Sequence, residues 1–349
     1  MSYGKKVSFA SLALAAVFAV GCGDNSTVLD DAAREQQAVL GMKEAIQTHI
    51  EELDAAVKEL QAAVPTPDDD GWNSTDDKAA VEAMRTAWKK ARLAYETIEG
   101  PLAVVFPELD YTLDARYDAF IETAPDDNLF DDTGATGLHS VERIIWSDVT
   151  PQSVITFESG LPNYKAAAFP SNLTEATDFR DKLVARAVSD VGQMRDKWKA
   201  LALEAPSAYQ GVMGSMEEQH EKVVKAATGE EESRYAQYTL ADMRANVAGG
   251  KATYALFHDW ILTKEGGDAV DQAVAAGFAK LDEAYAGVSG DSLPSVPEGW
   301  SSENPTAEQL ATPFGKLYSL VSAQSDASSS DSLVSAMTQA ETILGAWTP

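Results

Sequence analysis

Cysteine occurs once in 349 residues, at Cys22, so this chain cannot close an internal disulfide or build a cysteine-rich zinc or iron–sulfur site. Any metal it holds must rest on oxygen and imidazole donors. Positive charge is scarce as well. The 27 Lys and Arg face 55 Asp and Glu for a net charge of −28, and no basic cluster is present that would release counterions from a phosphate backbone. Nucleic acid is thereby excluded as a partner. No alternating apolar–polar run of useful length appears, which argues against a sheet architecture. Neither H-E-x-x-H, nor G-x-S-x-G, nor a phosphate-cradling G-x-x-x-x-G-K-[ST] occurs. With no recognisable catalytic base, the chain reads as a binding protein and not as an enzyme.

The longest apolar run, residues 7–20, is interrupted only by Ser8 and Ser11 and follows Lys5 and Lys6. Fourteen residues are too few for a stable span, which needs about 20, but they fit the core of an export signal. The run ends in Ala19-Val20-Gly21-Cys22, which resembles a bacterial lipobox with Ala19 where Leu is more usual. The expectation is a signal peptide over residues 1–21, a lipid-anchored Cys22, a polar tether over 22–35 and a helical domain over 36–349, in an envelope lipoprotein facing the periplasm or the outer surface. The strongly acidic surface serves solubility or gathers cations.

What is abundant is helical period. Ile46, Ile50, Leu53, Val57, Leu60 and Val64 form one apolar stripe that Pro65 and Pro67 end. Val81, Met84, Trp88, Ala91, Tyr95 and Ile98 repeat the rhythm, with Ser74 as the expected N-cap and Gly100-Pro101 as the stop. Further helices are predicted over 109–122, 136–147, 174–204, 207–228, 238–264, 268–286, 305–323 and 331–345. About ten helices with short connections predict an all-α fold of two packed bundles. The Pro/Ser/Gly-rich stretch 288–305 sets the last two helices apart as a hairpin.

Chemistry concentrates in three segments. In residues 136–146, TGLHSVERIIW, His139 and Glu142 lie three apart on one helix face, a spacing that suits a shared ion but more commonly marks a surface hydrogen bond. Glu96 and Glu99 form a second such pair beside Tyr95, Ile98 and Leu102, where two carboxylates need a compensating cation or proton. Asp110 and Asp114 follow, with Arg116 nearby. Among the other histidines, Glu217 and His220 make one E-x-x-H pair where a di-iron bundle needs two. His220 and His49 read as exposed, and His258 as a hydrogen-bonded core or interface residue.

In order along the chain, YETIEGP, FPELDYTLDAR, GLHSVERIIW and GEEESRYAQYTLADMRANVAGG resemble the marker segments of the imelysin-like family, in its EfeO/EfeM iron-uptake branch. LPSVPEGW and TPFGKLYSLVSAQSD also look like its lipoprotein members. The resemblance implies two four-helix bundles without a cupredoxin domain, and a metal site of His139, Glu142, Glu96, Glu99 and Asp114. Asn246 would be a neighbouring hydrogen-bonding residue. Where the family motif often carries a basic residue, this chain has Ser140. The implied cargo is iron, with zinc, copper, manganese or calcium as other occupants of a carboxylate–imidazole set. The implied partner is an iron permease or other uptake component. A non-catalytic binder of another metal or of a metal-bridged acidic polysaccharide stands as the alternative. A metallopeptidase comes third, because Arg143 replaces the second histidine of H-x-x-E-H.

Overall fold

A computed structural model describes residues 29–73 and 75–345. Cys22, the signal segment and residues 22–28 of the expected tether lie outside the described residues, as does Ser74, and residues 31–35 of that tether open the first helix. Among the described residues there are helices and no strand. The first half contains α1 (Asp31–Ala63), α2 (Lys78–Glu96), α3 (Glu99–Val105), α4 (Pro107–Asp114), α5 (Tyr117–Ile121), α6 (Gly137–Ile145) and α7 (Gln152–Glu158). Then come α8 (Leu173–Asp178), which passes through a π-helical stretch (Phe179–Val184) into α9 (Ala185–Ala200), and α10 (Ala205–Thr228). The chain ends with α11 (Thr239–Ala255), α12 (His258–Ile261), α13 (Gly267–Ala286), α14 (Ala307–Leu310), α15 (Pro313–Ser325) and α16 (Leu333–Leu344).

The apolar stripes explain the packing. Ile46, Ile50, Leu53, Val57 and Leu60 of α1 are fully buried, and Asp30 caps the helix by accepting from Ala33 N at 2.9 Å. Helices α1, α2, α9 and the π-helical stretch pack together, as do α10, α11, α13, α15 and α16. One continuous apolar core runs through both groups, from Met42 and Ile50 to Phe278, Val321 and Met337. The last two long helices therefore belong to the main core and do not form a separate hairpin. A second core gathers Trp72, Trp88, Trp146 and Phe179 near α2 and α6, each large apolar side chain contributing about 1.5–3 kcal/mol by burial.

Two departures from the helical reading shape the site. The second helix starts at Lys78 with Asp77 at its N-cap position, and it does not run unbroken to Gly100. It stops at Glu96, turns at Thr97-Ile98, and restarts as α3, with Pro101 in the first turn where no amide donor is required. The cause is close backbone packing. A Cβ on Gly249 of α11 would fall 1.9 Å from Thr97 O, and one on Gly100 would fall 2.4 Å from Ser215 N of α10. The predicted helix over 109–122 likewise divides at Ala115-Arg116 into α4 and α5.

Candidate metal centre

The 96–99 turn brings its two glutamates to one place from two different helices. Glu96 ends α2 and Glu99 begins α3, yet both face Lys222 of α10, whose Nζ lies 3.3 Å from Glu96 Oε2 and 3.0 Å from Glu99 Oε2. Asn246 of α11 ties them together, its Nδ2 donating to Glu96 Oε2 at 2.7 Å and Glu99 Oε2 at 2.9 Å. Gln219 donates to Asn246 Oδ1 at 3.0 Å and fixes the amide's orientation.

Gly137 performs the corresponding service for His139. Its φ is +86°, open to glycine at no steric cost, and a Cβ there would strike Thr112 O at 2.5 Å. The start of α6 thus presses against the end of α4, which sets His139 Nε2 3.4 Å from Asp114 Oδ1. The other ring nitrogen, Nδ1, lies 2.8 Å from Glu142 Oε2. Glu142 Oε1 accepts from the backbone N–H groups of Tyr235 and Ala236, at 3.0 and 2.8 Å. Glu142 is therefore committed on both oxygens, one holding the imidazole and the other the 235–236 backbone. With Nδ1 protonated toward Glu142, Nε2 presents a lone pair, and this fully buried atom has no hydrogen-bond partner.

Five buried or nearly buried carboxylates converge here: Glu96, Glu99, Asp114, Glu232 and Asp242. Two permanent cations oppose them. Arg92, fully buried, pairs with Glu96 and Asp114, reaches Glu232 Oε1 at 2.6 Å and lies 3.6 Å from Asp242 Oδ2. Lys222 adds a contact to Glu232 Oε1 at 2.8 Å. Negative charge remains in excess, and the proton affinities divide accordingly. Burial raises Glu99, and it pushes Asp242 up to about 7 despite Arg92. Against the same burial, Arg92 and His139 hold Asp114 well below the usual range, and Lys222 and Arg92 lower Glu232. For His139, burial and Arg92 disfavour the imidazolium, but Asp114 and Glu142 outweigh them and raise it.

Two sets of donor atoms lie within 4.8 Å of one another: Asp114, His139 and Glu232, and Glu96, Glu99, Asp114 and Glu232. They share Asp114 and Glu232 and touch a cavity of about 390 Å³ whose lining includes Glu99, Asp110, Asp114, Arg116, Lys225 and Glu232. Larger clefts, such as the one of about 710 Å³ between α1 and α12, bring no three such donors together among the described residues. Of the five residues expected at the site, His139 and Asp114 fall in one set and Glu96, Glu99 and Asp114 in the other. Glu142 falls in neither.

The sequence model described as Peptidase_M75: Imelysin matches residues 24–325. The chain belongs to the imelysin family. Among curated relatives it is similar to the iron uptake system component EfeM of Bacillus subtilis, at 30% identity over 174 residues, 50% of this chain and 35% of that protein. It is also similar to the iron uptake system component EfeO of Escherichia coli K12, at 24% identity over 202 residues, covering 58% and 44% respectively. The aligned part thus spans less than half of either relative.

In this imelysin chain, sequence reasoning missed Glu232, Asp242, Arg92 and Lys222. Glu232 and Asp242 stand inside GEEESRYAQYTLADMRANVAGG, but four acids stand in that segment and nothing local separates the buried ones. Arg92 lies four residues before Glu96, a spacing that pairs them on α2, and this was its one available signal.

Proposed function

We propose that this protein is an envelope metal-binding component of an iron-uptake system, with iron as its cargo and no catalytic turnover. The observation that carries the reading is His139, whose Nδ1 is held by Glu142 while its buried Nε2, 3.4 Å from Asp114 Oδ1, makes no hydrogen bond and falls in one donor set with Asp114 and Glu232. A histidine held by a carboxylate through its other nitrogen is the usual arrangement of a metal-ligating imidazole. Asp114, His139 and Glu232 would then be the primary ligands. Glu96 and Glu99 would supply a second carboxylate station sharing Asp114 and Glu232. Hard oxygen donors with one imidazole suit iron, and also admit zinc, manganese, copper or calcium. That the similar proteins EfeM and EfeO are iron uptake system components favours iron.

Two parts of the reading rest on sequence alone. Attachment through Cys22 would hold the protein at the membrane, where an uptake permease could receive the metal; among the described residues no helix is long and apolar enough to cross a bilayer. The experiment is metal analysis of the full chain after iron loading and dialysis, for wild type, His139→Ala and Asp114→Asn. Wild type is expected to retain iron and both variants to lose most of it. Retention unchanged in both variants would place the site elsewhere. Peptide cleavage by the loaded wild type would favour the peptidase reading that the family's description raises.

A further inference from the structure

The cavity beside the candidate centre is not uniformly acidic. Arg116, in the Ala115-Arg116 break between α4 and α5, and Lys225 of α10 line the same space as Asp114 and Glu232. In a chain with twice as many acids as bases, a guanidinium is expected to find a carboxylate, and Arg116 does not. Its side chain makes no ion pair or hydrogen bond among the described residues, and its buried Nε has no partner. The nearby acid Asp118 is taken by Arg234. Lys225 is already paired with Glu221 one turn earlier on α10, and burial, with Arg116 close by, pulls it below the usual lysine range, which leaves Arg116 as the unpaired cation of the cavity wall among the described residues.

The metal side has a complementary deficit. Asp114, His139 and Glu232 form one compact donor set, whereas a hard ion such as iron commonly seeks about six donors. Glu96 and Glu99, which share Asp114 and Glu232 in the second donor set, are already engaged by Arg92, Lys222 and Asn246, so a donor from outside the chain would complete the coordination. Resting on the iron-binding reading above, we infer that this protein takes its metal together with a small oxyanion, a carboxylate or carbonate. One part of the anion coordinates the ion, and Arg116 and Lys225 hold its outer oxygens. A planar guanidinium suits that bidentate role. A cavity of about 390 Å³ is within the ordinary size of small-molecule sites, about 300–1,000 Å³. Asp114 and Glu232, both held in the ionised form, also line the cavity, so an anion alone is repelled. The anion and the metal must therefore bind as a pair, each strengthening the other.

The test loads the full chain with Fe(II) anaerobically in carbonate-free chloride buffer, then adds radiolabelled citrate or radiolabelled hydrogencarbonate and dialyses. Wild type is expected to keep about one anion per iron with at least one of the two labels, and none when iron is omitted. Comparison of the labels identifies which class the site prefers. Arg116→Gln is expected to lower the amounts of anion and iron retained together about tenfold or more, the worth of a charge-assisted hydrogen bond. Arg116→Lys should recover part of it, and Lys225→Gln should lower it independently. Iron retained by wild type without either anion, or as much iron and label retained by Arg116→Gln as by wild type, would overturn the inference while leaving iron binding intact. No iron retained under any condition would strike down the iron-binding reading, and this one with it.

Discussion

Replacing Arg92 with methionine tests whether a metal and a protein cation compete for the same carboxylates. The guanidinium is fully buried and lies within 4 Å of Glu96, Asp114, Glu232 and Asp242. Removing one partner of a buried ion pair typically costs about 3–5 kcal/mol, because the opposing charge stays desolvated. With Lys222 left against Glu96 and Glu232, and only His139 beside Asp114, the upper part of that range applies near pH 8. At pH 5 the loss should shrink, since the carboxyls can take up protons instead. A bound metal ion supplies the missing positive charge. At a free concentration of 100 Kd it stabilises wild type by about 2.7 kcal/mol, and Arg92→Met should gain more because its carboxylates no longer have a competitor. Urea unfolding at pH 8, with chelator and with excess Fe(II) or Mn(II), measures both effects. A variant as stable as wild type in chelator, or one stabilised no more than wild type by metal, would refute the idea that Arg92 occupies the metal's place.

Four further outcomes are expected. Burial raises the folded-state pKa of Asp242 to about 7, of Asp110 to about 8 and of Glu218 to about 9, so these carboxyls bind more protons folded than unfolded. The metal-free protein should therefore lose stability from about pH 4 to 9, by their contribution alone, whereas Asp114 and Glu232 weaken it only below about pH 4. Proton release on iron addition, followed in weak buffer, checks the same coupling, and a metal affinity that did not fall from pH 7 to 5 would contradict it. Glu142→Gln should weaken iron binding about 10–100-fold in a chelator competition by loosening the His139 ring, and unchanged affinity would remove that orienting role. Gly249→Ala drives a methyl group into Thr97 O, and a urea midpoint within error of wild type would show that the 96–99 turn is not held by this contact; about 1–3 kcal/mol of loss is expected. Mass spectrometry of protein exported from a bacterium should find an acylated Cys22 with nothing before it; an intact Met1 would end the lipoprotein reading.

Most of the helical pattern, and the residue types gathered at the candidate centre, were legible in the sequence. Periodic apolar positions such as Ile46–Val64 are readable because a helix repeats every 3.6 residues, and the buried face of α1 follows that pattern. The single cysteine confined metal donors to oxygen and nitrogen. The H-x-x-E pair was legible as a pair because three residues bring two side chains to one face. Its division of labour was not: Glu142 turns to His139 and to a backbone loop more than ninety residues later in the chain. That is a long-range packing outcome which no local spacing encodes. The Glu96 and Glu99 pair met at one place through a helix break imposed by Gly249, Gly211 and Ser215, not through a continuous helix turn. Only tertiary structure could decide which of many acids are buried together, and only it placed Arg92 and Lys222 among them, because charge balance in a core is settled by residues from α2, α10 and α11 that share no sequence neighbourhood.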